Sequence, residues 1–248
     1  MTFNARIDGV FFQSHGCKLL GGFYGAAGET PRPTVILLHG LPGVEKNLDL
    51  AYALRDAGWN ALYFHYRGCW GSEGAYSLDG LQEDVRAATE WVLKQPSVDD
   101  EELVLLGSSI GGYATLAAGA TDSRFRTLAA LCPLITPAHA PLPMELATES
   151  AAMLQGVTAA QLMEQWNRLP PILNMIDKLQ NRKILLITGD LDELFHPNHY
   201  QPFVNELPNV KWQRFSNGDH SFTRCRRELV ETVLQWLKES ERTRLAND

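Results

Sequence analysis

The run Glu102-Leu103-Val104-Leu105-Leu106-Gly107-Ser108-Ser109-Ile110-Gly111-Gly112 limits what this chain can fold into more than any other. The unbroken apolar run Leu103 to Leu106 predicts a strand buried on both faces, and the small residues from Gly111 to Ala120 predict a helix packed closely upon it. The two must reverse direction around the pattern G-x-S-x-G centred on Ser109. Such a turn leaves no room for a Cβ two positions either side of its centre, and there stand Gly107 and Gly111. Ser108 is the rival hydroxyl, but Leu106 and Ile110 occupy its own ±2 positions, so Ser109 is the serine the turn exposes. The helix that follows aims its N-terminus at the same point, where the N–H of Ile110 faces a place for negative charge to develop.

The flanking sequence repeats the strand, loop, helix rhythm. Residues 7 to 27 suit two short antiparallel strands at a sheet edge, and Thr34-Val35-Ile36-Leu37-Leu38 reads as a central strand running into the loop His39-Gly40-Leu41-Pro42-Gly43. A helix follows, with Asn47 as its N-cap and Gly58 just past its end. Ala61 to Phe64 is the next strand, and Leu81, Val85, Ala88 and Val92 form the apolar face of a helix for which Asp79 and Gln82 supply a capping box. Leu128 to Leu131, Ile184 to Ile187 and Val210 to Phe215 complete the strands, before a last amphipathic helix marked by Leu229, Val233 and Trp236. Strands alternating with helices imply an α/β fold with a doubly wound, mostly parallel sheet.

One segment breaks the rhythm. Residues 133–182 carry no strand signal but hold prolines at 133, 137, 141, 143, 170 and 171 around a helix-forming stretch from Glu145 to Trp166. This predicts a short helical lid inserted into a single domain spanning residues 1–248, with Met144, Leu146, Met153, Leu154, Leu162, Met163 and Trp166 divided between anchoring the lid and lining a pocket, a duty that suits the methionines.

A net charge of −7 without a basic stripe argues against nucleic acid or an anionic membrane as partner, and the cluster Arg224, Arg226 and Arg227 reads as a solvated helix face. No leader-like or membrane-spanning apolar run is present, so the expected location is cytoplasmic. Cys17, Cys69, Cys132 and Cys225 are too scattered for a disulfide framework or a zinc site and read as reduced thiols.

A serine hydroxyl needs a base to take its proton and a carboxylate to orient that base. His220, in Asn217-Gly218-Asp219-His220-Ser221 straight after the last strand, is the base; Gly189-Asp190-Leu191-Asp192-Glu193, straight after the strand before it, holds the acid. Asp192 is preferred to Asp190, which is placed to close its own turn, with Glu193 third. The second oxyanion donor falls to the N–H of Leu41, since Pro42 has none and Gly40 and Gly43 let the backbone come close. His39 reads as a structural residue of that loop, and His196 and His199, separated by Pro197 and lacking a third ligand, as surface residues rather than a metal pair. The chemistry calls for no cofactor and no metal.

Taken in order, HGLPG, YRGCWGSEG, GSSIGG, GDLDE and GDHSF resemble the alpha/beta-hydrolase superfamily over essentially the whole chain. The YRGCWGSEG loop is similar to that of the branch holding acylaminoacyl-peptidase-like and serine-aminopeptidase-like hydrolases and small bacterial carboxylesterases. The resemblance implies Ser109 as nucleophile, Asp192 as acid, His220 as base, and the amides of Leu41 and Ile110 as the oxyanion hole. Ile110 stands where many relatives carry methionine, and the propeller domain of true oligopeptidases has no counterpart here. The expected activity is therefore hydrolysis of small carboxylic esters, with peptide or thioester cleavage as the alternative and a binding module that kept the fold but lost the chemistry as the non-enzymatic one. The expected partner is a small ester or a short acyl or peptidyl substrate; the sequence sets no oligomeric state.

Overall fold

The structure, a computed structural model, describes residues 2–245, and an eight-stranded sheet runs through its middle. A hairpin of β1 (Arg6–Ser14) and β2 (Cys17–Gly25) forms one edge, and β2 pairs antiparallel with β4 (Asn60–Phe64). Beyond it β3 (Arg32–Leu38), β5 (Val98–Ser108), β6 (Phe125–Leu131), β7 (Lys183–Gly189) and β8 (Lys211–Phe215) are all parallel, in the order β1-β2-β4-β3-β5-β6-β7-β8. This is the mostly parallel, doubly wound sheet that the alternation of strands and helices predicts.

Side-chain alternation divides the core into two layers. Ile36, Leu38, Leu105, Ala130 and Leu186 face one way, against α2 (Leu81–Val92) and α3 (Ile110–Thr121). Val35, Leu37, Val104, Leu106, Leu131 and Ile187 face the other, against α1 (Leu48–Asp56) and α8 (Arg226–Leu245), whose Leu229, Val233 and Trp236 are buried as their spacing predicts. Both faces of the central strands are covered, which is why they read as continuous apolar runs.

Two local expectations fail. Asp79 and Gln82 do not cap α2: Gly80 holds the N-cap position, Asp79 pairs with Arg168 at 2.8 Å, and the Gln82 Nε2 donates to the Ala114 carbonyl at 3.2 Å. The single helix read from Glu145 to Trp166 is two, α4 (Met144–Met153) and α5 (Ala159–Arg168). Between them Gly156 takes φ 70°, and the backbone of Gln155 is tied to the loop after β4, donating to Gly68 and accepting from Tyr76. Thr158 restarts the helix with a capping box to Gln161. The short helices α6 (Ile176–Leu179) and α7 (Gln201–Glu206) flank β7. No helix among the described residues is long and apolar enough to cross a membrane.

Candidate active site

The parallel strands β3, β5, β7 and β8 all end at one edge of the sheet, and the loops leaving them meet there. Ser109, between β5 and α3, has φ 57° and ψ −120°. The turn is pinned on both sides of that peptide: the Ser109 N–H donates to Leu131 at 2.8 Å, and its carbonyl accepts from Tyr113 at 3.0 Å and Leu134 at 3.3 Å. The glycine pattern is steric. A Cβ on Gly107 would lie 2.2 Å from the Gly111 carbonyl oxygen, and one on Gly111 2.2 Å from the Leu38 carbonyl oxygen. Ile110 is the first residue of α3, so its N–H has no acceptor within the helix.

The loop after β3 lies directly against Ser109, since a Cβ on Gly40 would come within 3.1 Å of the Ser109 Cβ. His39 is structural as read: its Nδ1 bonds the Gly40 carbonyl at 2.8 Å, and burial pushes its pKa down to about 4. Leu41, Ser109 and His220 line one cavity of about 270 Å³.

Of the three acids after β7, Asp192 is the one that meets the His220 ring. His220 Nδ1 lies 2.9 Å from its Oδ2 and 3.0 Å from its Oδ1. The carboxylate is 0% exposed, and its Oδ1 accepts the N–H groups of Leu194 at 2.8 Å and Phe195 at 2.9 Å. Burial alone would raise its pKa; the hydrogen bond and charge of His220 and the Phe195 amide outweigh that and hold it below the usual carboxylate range. Asp190 points away to Arg214 at 2.9 Å, and Glu193 reaches only the backbone N–H of His220, at 3.4 Å. In the tautomer whose Nδ1 donates to Asp192, Nε2 is the ring nitrogen that keeps a lone pair.

Helices α4 and α5 roof the cavity, but not with methionine. Leu142, Leu146 and Trp166 line it, and the Trp166 indole is fixed by donating to the Ala140 carbonyl at 2.8 Å. Met144 and Met153 are 60% and 47% exposed and stand clear of the cavity, while Met163 packs on the core. Phe195 closes the wall edge-on to His220, with ring centroids 5.2 Å apart.

Four residues carry more than the sequence suggests. His199 is no surface residue: its Nε2 accepts the Ile135 N–H at 2.8 Å and its ring stacks on Phe195, and burial pushes its pKa down to about 4. His196 is exposed as expected. Cys132, buried at φ 40°, brings its sulfur within 4.8 Å of ligand atoms of both Asp192 and His220. Burial first, and then the Asp192 charge, push that thiol well above its usual range. Asp192 and His220 bond each other there, with the Cys132 sulfur beside them. Asn47 holds the N-cap position of α1 without capping it: its Nδ2 donates to the Ser108 Oγ at 2.9 Å, and its Oδ1 accepts from Arg226. Arg226 therefore turns inward, while Arg227 is 92% exposed beside Glu231. Asn47 is legible as a helix start, but no local signal marks its partners.

The sheet order and the strand, turn, helix carrying Ser109 define the α/β-hydrolase class of protein. The chain belongs to the prolyl oligopeptidase family, whose model matches residues 49–242. Among solved structures it is similar to Est1E from Butyrivibrio proteoclasticus with ferulic acid bound, with a TM-score of 0.77 at 18% identity over 93% of this chain and 98% of that one. The Pyrococcus furiosus esterase Pf2001 matches with a TM-score of 0.71 at 20% identity over 95% and 93% of the two chains. By sequence, the uncharacterized protein YfhR of Salmonella typhimurium is 37% identical over 113 residues, 44% of this chain and 39% of that protein. The thiohydrolase aneE of Aspergillus aculeatus is 28% identical over 81% of this chain and 62% of its own length. The chain spans about two fifths of the length of the first relatives it matches.

Proposed function

We propose that the protein is a serine hydrolase that cleaves small carboxylic esters through an acyl-enzyme, with Ser109 as nucleophile, His220 as base and Asp192 as the acid orienting it. The observation that carries this reading is the convergence on one cavity of a strained serine turn and a histidine whose Nδ1 is held at 2.9 Å by a buried carboxylate. In the acylation step His220 Nε2 takes the Ser109 proton as Oγ bonds to the ester carbonyl carbon. The carbonyl oxygen becomes an oxyanion facing the N–H groups of Leu41 and Ile110. When it collapses, the ester C–O bond breaks and His220 returns the proton to the leaving alcohol. Water then repeats the sequence on the acyl-enzyme and releases the acid. Asp192 stays ionised throughout and stabilises the imidazolium.

A cavity of about 270 Å³ walled by Leu142, Leu146, Trp166, Leu194 and Phe195 supports a small apolar acyl group. The family match favours a second reading, cleavage of an aminoacyl or acylaminoacyl amide, and the similarity to a thiohydrolase supports including thioesters in the test. Labelling with a fluorophosphonate probe, followed by a panel of aryl esters, aryl thioesters and aminoacyl anilides, decides among them. The expected result is the highest kcat/KM on short esters, with labelling and turnover lost in Ser109→Ala. Labelling that persists in that variant refutes the nucleophile, and a panel led by anilides replaces the ester reading with the peptidase one.

A further inference from the structure

Three segments far apart in sequence meet at one side-chain amide. Asn47 is fully buried, in the left-handed conformation at φ 55° and ψ 40°, which asparagine tolerates better than most residues. Its Nδ2 donates to the Ser108 Oγ at 2.9 Å, one residue before Ser109. Its Oδ1 accepts from Arg226 Nη1 at 3.2 Å and Nη2 at 3.1 Å. The same guanidinium donates through Nη1 to the Ser221 carbonyl at 3.3 Å, one residue past His220, and through Nε to Asp49 at 2.8 Å. Asn47 itself follows the loop that carries Leu41, and its N–H is held by the Glu45 carboxylate. One planar amide and one planar guanidinium thus connect the serine turn, the Leu41 loop and the His220 loop, across sequence separations of 61 and 179 residues.

We infer that Asn47 and Arg226 form a clamp that sets the position of His220 relative to Ser109 and the Leu41 amide. Both are positioning residues, as neither lines the cavity nor bonds to Ser109 or to the His220 ring. The inference rests on the roles proposed above for Ser109 and His220. Asparagine suits the post because one rigid group presents a donor to Ser108 and an acceptor to Arg226; glycine keeps the left-handed backbone but neither bond. Arginine suits its own because a fork is needed to hold Asn47, Asp49 and the Ser221 carbonyl at once, which a lysine ammonium cannot match.

The test is a double-mutant cycle on the purified full chain with Asn47→Gly, Arg226→Met and the pair, adding Ser108→Ala and Arg226→Lys. Readouts are kcat and KM on a short p-nitrophenyl ester, the second-order rate of fluorophosphonate labelling, and melting temperature, with activities measured well below each melting point. Because misplacement of reacting groups by a fraction of an ångström slows the chemical step rather than binding, each single variant is expected to lose roughly 10- to 100-fold in kcat and labelling rate with KM within about threefold. The double variant is expected to fall little below the worse single one, since either change opens the same clamp. Ser108→Ala, which deletes only the far acceptor, is expected to reproduce part of the Asn47→Gly loss in a fold that keeps both clamp residues. Arg226→Lys is expected to stay near Arg226→Met. Folded variants with unchanged kcat, losses confined to KM, or a double variant showing the product of the two single losses overturn the clamp while leaving the site reading intact. A wild-type chain that neither turns over esters nor takes the probe refutes the site reading, and the clamp with it.

Discussion

Acid should unfold this protein earlier than its carboxylates alone would dictate, because burial disfavours the charged form of three histidines, the buried His39 and His65 and the half-buried His199. Burial pushes His39 down to about 4; burial, and then the charge of His39, push His65 down to about 3; burial pushes His199 down to about 4. Each stands near 6.5 in the unfolded chain, so on acidification the unfolded state takes up protons that the native state refuses. The sign follows: the stabilisation is fully present above pH 6.5 and is lost as pH falls towards the folded values, over the window from about 6.5 to 4. At 1.36 kcal/mol per pH unit, His39 alone contributes about 3 kcal/mol across that window. His39 and His65, whose ring centroids are 5.8 Å apart, are coupled and do not simply add to it. Around pH 5 unfolding should take up roughly two to three protons, a loss of about 3 to 4 kcal/mol per pH unit against a typical total of about 5 to 15. Asp192, held below the usual carboxylate range, contributes its loss only at lower pH. The assay is denaturant unfolding at pH steps from 8 to 4.5. His39→Asn, which keeps a side-chain N–H for the Gly40 carbonyl, should flatten the slope by about one proton. A slope below one proton between pH 6 and 5, or an unchanged slope in that variant, refutes the reasoning.

Asp192→Asn should lower kcat by about 10⁴-fold, since an amide cannot hold the Nδ1–H tautomer of His220, whereas Asp190→Asn, whose partner is the exposed Arg214, should change it less than about threefold; the reverse ranking in steady-state kinetics would exchange their roles. Leu146→Ala should move the preferred acyl chain longer, by about 1 to 3 kcal/mol in relative kcat/KM, while Met144→Ala and Met153→Ala, exposed and outside the cavity, should leave the chain-length profile as it is. Gly111→Ala places a Cβ 2.2 Å from a backbone oxygen of Leu38 that cannot step aside, so melting temperature and probe labelling should both collapse; a folded, labelled Gly111→Ala would contradict the steric reading of the turn.

What the sequence discloses about this site is what short-range sterics and strand order determine. The Ser109 turn is visible because a tight strand-to-helix reversal demands glycine at fixed positions around its centre, wherever the backbone they clear comes from: Gly107 clears Gly111 within the turn, and Gly111 clears Leu38 at the end of β3. The Asp192 and His220 loops are visible because each follows a buried strand whose far end must reach the same edge. The alternation of the strands likewise foretells which residues fill the two core layers. Residues whose partners lie far along the chain stay hidden. Asn47 has the composition of a helix cap, but its amide is taken by Ser108 and Arg226; His199 looks like loop surface until the Ile135 amide and the Phe195 ring enclose it. The break between α4 and α5 has the same origin, because the backbone of Gln155 bonds the loop after β4 instead of continuing its helix.

With Ser109 as the proposed nucleophile, its backbone places chemistry and stability in opposition at one residue. A positive φ is nearly free for glycine, whereas a side chain there is strained by about 1 to 3 kcal/mol. Evolution cannot relieve that strain by substitution, because the residue the conformation prefers has no hydroxyl to offer. The native state must therefore carry it as a standing deficit, compensated by the three backbone hydrogen bonds that pin the turn and by the covered sheet beneath. Stability selected without regard to function would erode this position first, and the resulting protein would be sturdier and inert.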